Sequence, residues 1–350
     1  MAEQDRLSIT RAAIDRLDDC TDLRFRRVMT ALIRHLHDFV REVDLTEDEW
    51  LTAIRFLTDT GRMCDERRQE FILLSDTLGA SMLTVMLAQS RGRRRTRTTD
   101  ATVMGPFFRE GAPILPLGAD ISEGVEGEPA LYRGRILDEQ GRPIAGAAID
   151  VWSSDAKGFY DVQVGEAMKA RARFTSDDQG RYRFWSVRPA HYPIPTDGPV
   201  GRMLRAMGRH AWRPAHMHFM VRAPGHAPLV THIFDANSPY LDSDAVFGVR
   251  DSLIVDFERH EPGRAPDGRS MERPYCTVDF DVRLAAVLPR RKEKTMATTK
   301  QRKAAKRNVK KAAAAAKRKR TISKLPKKTR TALGKQAAKV AKKKRKTRRS

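Results

Sequence analysis

Cysteine is scarce in this chain of 350 residues: Cys20, Cys64 and Cys276 are its only three, widely separated and without a CxxC spacing. That usage excludes a disulfide framework and fits thiols kept reduced in a cytoplasm. No apolar run is long enough to span a bilayer, and the opening Met1-Ala-Glu-Gln-Asp-Arg6 lacks the basic-then-apolar order of a signal peptide. A soluble, cytoplasmic protein is therefore expected. Internal repeats are absent, as is any motif for a nicotinamide, flavin or haem cofactor. Acidic residues are missing altogether from Met296 to Ser350, where 24 Lys and Arg stand, so the net charge of +23 belongs to that tail. Residues 1–295 hold 43 basic against 44 acidic side chains, close to neutrality.

What is present divides into three stretches. From Asp22 to about Ala88 the pattern is helical, with Phe25, Val28, Met29, Leu32, Leu36, Phe39 and Val40 recurring at spacings of three and four on one stripe. Thr46 followed by Glu49 is a capping-box start for a second helix carrying Trp50, Ala53, Ile54 and Leu57, with Gly61 placed to end it. A third helix is expected from about Arg67 through Phe71, Leu74, Leu78, Met82 and Val85. These helices carry more apolar surface than one thin layer hides, which predicts association.

After the basic stretch 91–97, short apolar runs alternate with Gly, Pro and Asp. Strands are expected over Leu131–Leu137, Ala148–Trp152, Arg181–Val187, His216–Val221, Leu229–Phe234, Leu253–Phe257 and Thr277–Val282, separated by turns such as Asp138-Glu-Gln-Gly141. That spacing suits an antiparallel β-sandwich. The tail has almost no large apolar residues and cannot fold alone, so it is expected to be disordered or partly helical. The expected fold is mainly β: a helical domain over residues 1–105, a β-sandwich catalytic domain over 106–292, and a basic tail over 293–350.

The most informative residues are His216 and His218. An extended segment alternates its side chains, so both imidazoles project from one face while Met217, Phe219 and Val221 project from the other. Such a strand offers two neutral nitrogens to one metal ion while its opposite face feeds a core. A ferric ion favours hard anionic oxygen donors beside imidazole, and two tyrosines upstream supply phenolates. Tyr160 closes a segment that leaves a strand and enters a loop, and Tyr192 lies in a loop stiffened by Pro189, Pro193 and Pro195. Tyr132 and Tyr182 fall inside strand patterns as core residues, and Tyr240 and Tyr275 carry no ligand motif. His35 and His37 are about 200° apart around a helix and cannot hold one ion together.

At these residues the chain resembles the intradiol ring-cleaving dioxygenases, non-haem Fe(III) enzymes that open catechols between the two hydroxyl-bearing carbons. Asp150-Val-Trp152, Gly158-Phe-Tyr160, Tyr192-Pro-Ile-Pro195 and Arg213-Pro-Ala-His-Met-His218 stand in the family's order, and the resemblance covers most of residues 20–290. Glu70-Phe-Ile-Leu-Leu-Ser-Asp76, Thr231-His-Ile-Phe234 and Leu241-Asp-Ser-Asp-Ala-Val-Phe-Gly248 are most similar to members acting on hydroxyquinol. His232 stands where catechol-specific members commonly carry Gln.

The resemblance implies Tyr160, Tyr192, His216 and His218 as ligands of one Fe(III) per subunit. Tyr192 doubles as a base when substrate binds, and Arg213 stabilises negative charge on the bound substrate. It implies a pocket lined by Leu73, Asp76, Val103, Gly105, Pro106, Phe107, Ile194, Pro195 and Val246, with Asp76 accepting a hydrogen bond from the third hydroxyl of hydroxyquinol. The implied substrates are a small aromatic diol or triol and O2, and the helical domain is implied to form a homodimer interface enclosing a phospholipid. Hydroxyquinol is the implied substrate, with catechol as the alternative.

Plainer readings remain open from the residues alone. The two histidines are also compatible with ordinary packing, Arg213 with a surface ion pair, and Asp76 with a solvated charge on a helix face. The tail can bind DNA, RNA or another polyanion without sequence preference, and a nucleic-acid-associated binding module is the alternative from a different class. Met296-Ala-Thr-Thr-Lys-Gln-Arg equally reads like the start of a separate small basic protein fused to the body.

Overall fold

The structure, a computed structural model, describes residues 3–65, 68–91, 97–165 and 167–287. The chain divides between Leu288 and Pro289, and all described residues belong to the first part. The basic tail lies outside the described residues.

Five helices come first: α1 Glu3–Asp15, α2 Leu23–Glu42, α3 Glu47–Arg62, α4 Glu70–Thr77 and α5 Ala80–Ser90. Asp22 caps α2 by accepting from the backbone N–H groups of Arg24 and Phe25. Thr46 and Glu49 make the expected reciprocal capping box at α3. Gly61 does not end α3, which runs one residue further. The expected third helix is two, because Gly79 at φ +76° closes α4 and the axis turns by 75° into α5. Among the described residues no single helix is long and apolar enough to cross a membrane. The stripe expected on α2 is exposed: α2 buries no residue, and Phe25, Leu32, Leu36 and Phe39 stand at least half open, as does Trp50 on α3.

The strands that follow are β1 Pro129–Asp138, β2 Ala148–Ser153, β3 Arg171–Thr175, β4 Arg181–Val187, β5 Tyr192–Pro193, β6 Trp212–Arg213, β7 His216–Arg222, β8 Leu229–Asp235, β9 Ile254–Val255, β10 Glu258–His260, β11 Gly263–Arg264, β12 Ser270–Met271, β13 Tyr275–Asp279 and β14 Val282–Leu284. Short helices α6 Asp161–Val164 and α7 Pro199–Ala206 interrupt them. One sheet runs β3-β2-β7-β8-β9. In the other, β1 pairs with β4 on one side and with β13 and then β14 on the other. Ala130 faces Cys276 and Ile136 faces Val282, a constant offset that makes β13 and β14 one edge interrupted at Phe280 and Asp281.

The sandwich is antiparallel at its centre, but β1 runs parallel to β13 and β14, and β8 parallel to β9. The strand expected over Leu253–Phe257 is a 3-10 turn, Asp251–Leu253, followed by the two-residue β9. Strand β3 was not expected because Arg171 and Arg173 break its apolar signal. Both arginines are satisfied by carboxylates, Asp161 and Asp150, one of them in the interior.

The core lies between the sheets. Tyr132, Ile136, Tyr182 and Phe184 from one meet Ile149, Val151, Met217, Phe219 and Val221 from the other. Phe219 is fully buried, with its ring centroid 5.8 Å from Tyr182 and 6.3 Å from Phe184. Phe219→Ala is expected to cost about 3–5 kcal/mol, read as a lowered urea midpoint with unchanged slope.

Candidate active site

Strand β7 places the two histidines as alternation requires. Met217, Phe219 and Val221 enter the core, and His216 and His218 project from the opposite face, each about 1% exposed. Their cross-strand partners define the walls. Trp152 on β2 is in register with His218, and the two rings stack at 4.6 Å and 16°. His232 on β8 is the partner on the other side, perpendicular to His218 at 4.2 Å.

Tyr160 enters from the loop after β2. Gly158 adopts φ +86°, and a Cβ there would lie 2.8 Å from that of Tyr192, so the Gly158-Phe-Tyr160 segment packs its backbone directly on the second tyrosine. Phe107 stacks on Tyr160 at 4.4 Å. Arg171, buried, donates to Asp161 and to the Phe107 carbonyl, which ties together the segments carrying these two rings. Tyr192 on β5 is in register with Arg213 on β6, so a two-residue ladder sets that pair side by side.

Three donor atoms converge. Tyr160 Oη is 3.0 Å from His218 Nε2 and 3.3 Å from His216 Nε2, and the two imidazole nitrogens are 3.2 Å apart. Donors held by one first-row ion at about 2.0–2.1 Å and 90–110° to one another stand roughly 2.8–3.4 Å apart, so the spacing fits a shared ion. His216 Nδ1 donates to the Pro214 carbonyl at 2.7 Å, which leaves the lone pair on Nε2 facing the cluster. Tyr192 lies at the edge, its ring 5.2 Å from Tyr160 and 5.6 Å from His216. His232 also qualifies by distance, since ligand atoms of His216, His218 and His232 fall within 4.8 Å of one another. Both His232 nitrogens and His218 Nδ1 are buried without a hydrogen-bond partner.

Burial sets the protonation. It pushes His216 down to about 3, with Arg213 adding to the effect, and holds His218 and His232 well below the usual imidazole range. The same burial raises both phenols, although Arg213 pulls Tyr192 back. Arg213 is itself buried, and pairs through Nε and Nη2 with Asp244 at 3.0 and 3.2 Å, leaving Nη1 3.3 Å from His216 Nε2. Its partner is thus an interior carboxylate rather than a surface one. Sequence reasoning gave Asp244 no role, although it lies within the 241–248 segment that carries the resemblance to hydroxyquinol-acting members.

Of the expected pocket residues, Phe107 and Gly105 border this cluster directly, and others fall into two groups. Leu73, Val103, Ile194 and Val246 pack together, and Leu73, Pro106, Phe107, Ile194 and Pro195 line a cavity of about 470 Å³ with Gly158 at its wall. Gly105 backs onto His218, where a Cβ would sit 3.4 Å from Cε1. Asp76 is not a solvated charge: it is 3% exposed, and burial raises its pKa against the opposing influence of Ser81 and Arg213. His37 is spent elsewhere, with Nδ1 bonded to Thr10 at 2.9 Å.

The buried imidazoles give the metal-free protein a pH dependence with a definite sign. Their folded pKa lies below the unfolded value near 6.5, so only the unfolded chain takes up these protons as pH falls through that value. Stability is fully present above pH 6.5 and is lost progressively toward pH 3. The melting temperature of metal-free protein is expected to change little above pH 6.5 and to fall steadily from there to pH 5; a flat profile would contradict neutral buried imidazoles.

Comparison with known proteins agrees with this geometry. The sequence profile described as "Dioxygenase" matches residues 103–286, and that described as "Catechol dioxygenase N terminus" matches residues 22–96. The chain is 52% identical over 265 residues to the 6-chlorohydroxyquinol 1,2-dioxygenase of Cupriavidus pinatubonensis, covering 75% of this chain and 95% of that protein. It is 52% identical over 270 residues to the hydroxyquinol 1,2-dioxygenase of Nocardioides simplex, covering 77% and 91%. The crystal structure of hydroxyquinol 1,2-dioxygenase from Pseudomonas putida superposes with a TM-score of 0.75 at 47% identity, over 81% of this chain and all of that one. With two profiles spanning helices and sandwich, and about half of the aligned residues shared with such relatives, the chain belongs to the intradiol ring-cleavage dioxygenase family.

Proposed function

We propose that the protein cleaves hydroxyquinol between adjacent hydroxyl-bearing carbons, adding both atoms of O2 to give 3-hydroxy-cis,cis-muconate, the enol form of maleylacetate. The observation that carries this reading is the convergence of Tyr160 Oη, His216 Nε2 and His218 Nε2 at 3.0–3.3 Å, beside Tyr192 and Arg213, with a buried Asp76 under the electrostatic influence of Arg213. Relatives named for hydroxyquinol and 6-chlorohydroxyquinol support the choice of substrate.

Tyr160, Tyr192, His216 and His218 would hold one Fe(III) per subunit, a set of two anionic oxygens and two neutral nitrogens suited to a hard trivalent ion. When bound, the ferric ion supplies the electron-accepting centre that makes a catecholic ring reactive toward triplet O2. The protein's own groups do the rest. Tyr192, in strand register with Arg213, receives a proton from a substrate hydroxyl at its Oη. Arg213 keeps its charge in the interior and faces negative charge that develops on the substrate oxygens, a role worth about 3–4 kcal/mol for a comparable single donor. Asp76 accepts from the third hydroxyl, the feature that separates hydroxyquinol from catechol. Leu73, Val103, Ile194 and Val246 hold the ring and exclude water.

We also assign the exposed stripe on α2 and α3 to a homodimer interface with room for a phospholipid. Continuous Phe25, Leu32, Leu36 and Phe39 exposure is costly in water and is relieved by a second copy. Light scattering at micromolar concentration is expected to return twice the chain mass, and Leu36→Glu to return one; a monomeric parent protein would contradict the assignment.

The substrate reading is tested by comparing kcat/KM for hydroxyquinol, catechol, 4-chlorocatechol and protocatechuate on iron-loaded protein. Hydroxyquinol is expected to lead, with Asp76→Asn narrowing its advantage over catechol. The same ranking is expected after truncation at residue 292, since no proposed site residue lies beyond Val246. A tenfold preference for catechol, about 1.4 kcal/mol in transition-state binding, would make catechol the substrate instead. Tyr160→Phe and His218→Ala are expected to lose iron as well as activity.

A further inference from the structure

The carboxylate of Asp244 is 5% exposed and carries four hydrogen bonds, none of them to solvent. Two come from the Arg213 guanidinium, from Nε to Oδ1 at 3.0 Å and from Nη2 to Oδ2 at 3.2 Å. The other two come from its own loop: Val246 N–H reaches Oδ1 at 3.3 Å and Gly248 N–H reaches Oδ2 at 2.8 Å. The loop therefore fixes the carboxylate before the carboxylate fixes the arginine. A guanidinium is a rigid planar fork, so committing the Nε/Nη2 edge determines where the third nitrogen points. Here Nη1 lies 3.3 Å from His216 Nε2, one of the three converged donors.

Gly248 is part of the same device. A Cβ at this position would stand 2.8 Å from Arg213 Nη2 and 3.1 Å from Asp244 Oδ2, closer than side-chain carbons pack. No unusual backbone angle demands glycine there, since Gly248 is not among the residues of positive φ. The absent side chain is what admits the ion pair. The loop also carries Ala245 and Val246 into the pocket cluster, and Arg209 holds it against α4 by donating to the carbonyls of Ala245 and Thr77.

We propose that Asp244 is a positioning residue for Arg213: with Gly248 leaving room, its loop-anchored carboxylate takes one edge of the guanidinium and turns Nη1 onto the site where substrate charge develops. The proposal rests on the reading of Arg213 given above. Asp244 hydrogen-bonds to none of the converged donors and does not line the cavity around Leu73 and Ile194, so its one direct contact with the proposed machinery is Arg213. Asp244→Asn retains the shape and the loop contacts on Oδ1 but removes the charge and one acceptor edge.

A double-mutant cycle on the iron-loaded enzyme tests this, with iron content and melting temperature followed for each variant. Asp244→Asn is expected to lower kcat at least tenfold while iron content stays near that of the parent and KM moves less than threefold. In an Arg213→Ala background the same substitution is expected to change kcat less than twofold, because the group it positions is gone. Gly248→Ala, which displaces Nη2 without removing either charge, is expected to lower kcat at least fivefold in the parent and to have no further effect with Arg213→Ala. It decides the matter if Asp244→Asn does not fold. An undiminished kcat in Asp244→Asn, or an equal loss with and without Arg213, overturns the proposal. An undiminished kcat in Arg213→Ala overturns the reading of Arg213 itself, a result distinct from either.

Discussion

The site depends on the alternation of one strand. Because β7 is buried on both faces, Met217, Phe219 and Val221 anchor it in the sandwich, and the same packing fixes His216 and His218 on the reverse side. Burial makes those imidazoles neutral and so keeps their lone pairs available, but it also makes the two phenols harder to ionise. Nitrogen donors are thus ready before any cation arrives, whereas oxygen donors become anionic only when a cation offsets the cost of a buried phenolate. With the proposed ligands, iron uptake would release protons from tyrosine, and affinity would rise with pH.

Charge around this centre is arranged in buried pairs with a division of labour. Arg171 and Asp161 tie the segment that follows Tyr160 to Phe107, while Arg213 and Asp244 tie β6 to the loop carrying Val246. Pairs of this kind are weak sources of net stability, because desolvation offsets most of their attraction. Their value here is geometric: each holds a loop to a strand at a stated atom. Asp76 stands apart: burial raises its proton affinity, Ser81 and Arg213 oppose that rise, and the nearby Asp244 carboxylate adds to it.

Much of this was legible in the sequence. The His216 and His218 alternation, the capping box of Thr46 and Glu49, and the β-sandwich all follow from periodicity and local chemistry, and the family motifs pointed to Tyr160 and Tyr192. Less was visible where long-range pairing decides the outcome. Strand β3 was hidden because Arg171 and Arg173 look solvent-bound until Asp161 and Asp150 are brought to them by the fold. The parallel pairing of β1 with β13 and β14 joins residues 146 apart, which no local pattern records. Asp244 was missed because it lies 31 residues from Arg213, and only the β5–β6 ladder and the 241–248 loop bring both to one place. The helical stripe was read correctly as apolar, but periodicity alone does not say what covers it.

The central claim is that a mixed set of two phenolates and two imidazoles holds the metal, although three buried histidines offer an alternative set by distance. X-ray absorption at the iron K-edge of the ferric protein separates the two. The account predicts a first shell with two short oxygen distances and imidazole scattering equivalent to two rings, with the short-oxygen component reduced in Tyr160→Phe. Scattering from three imidazoles with no short phenolate oxygen, unchanged in Tyr160→Phe and lost in His232→Phe, would contradict it.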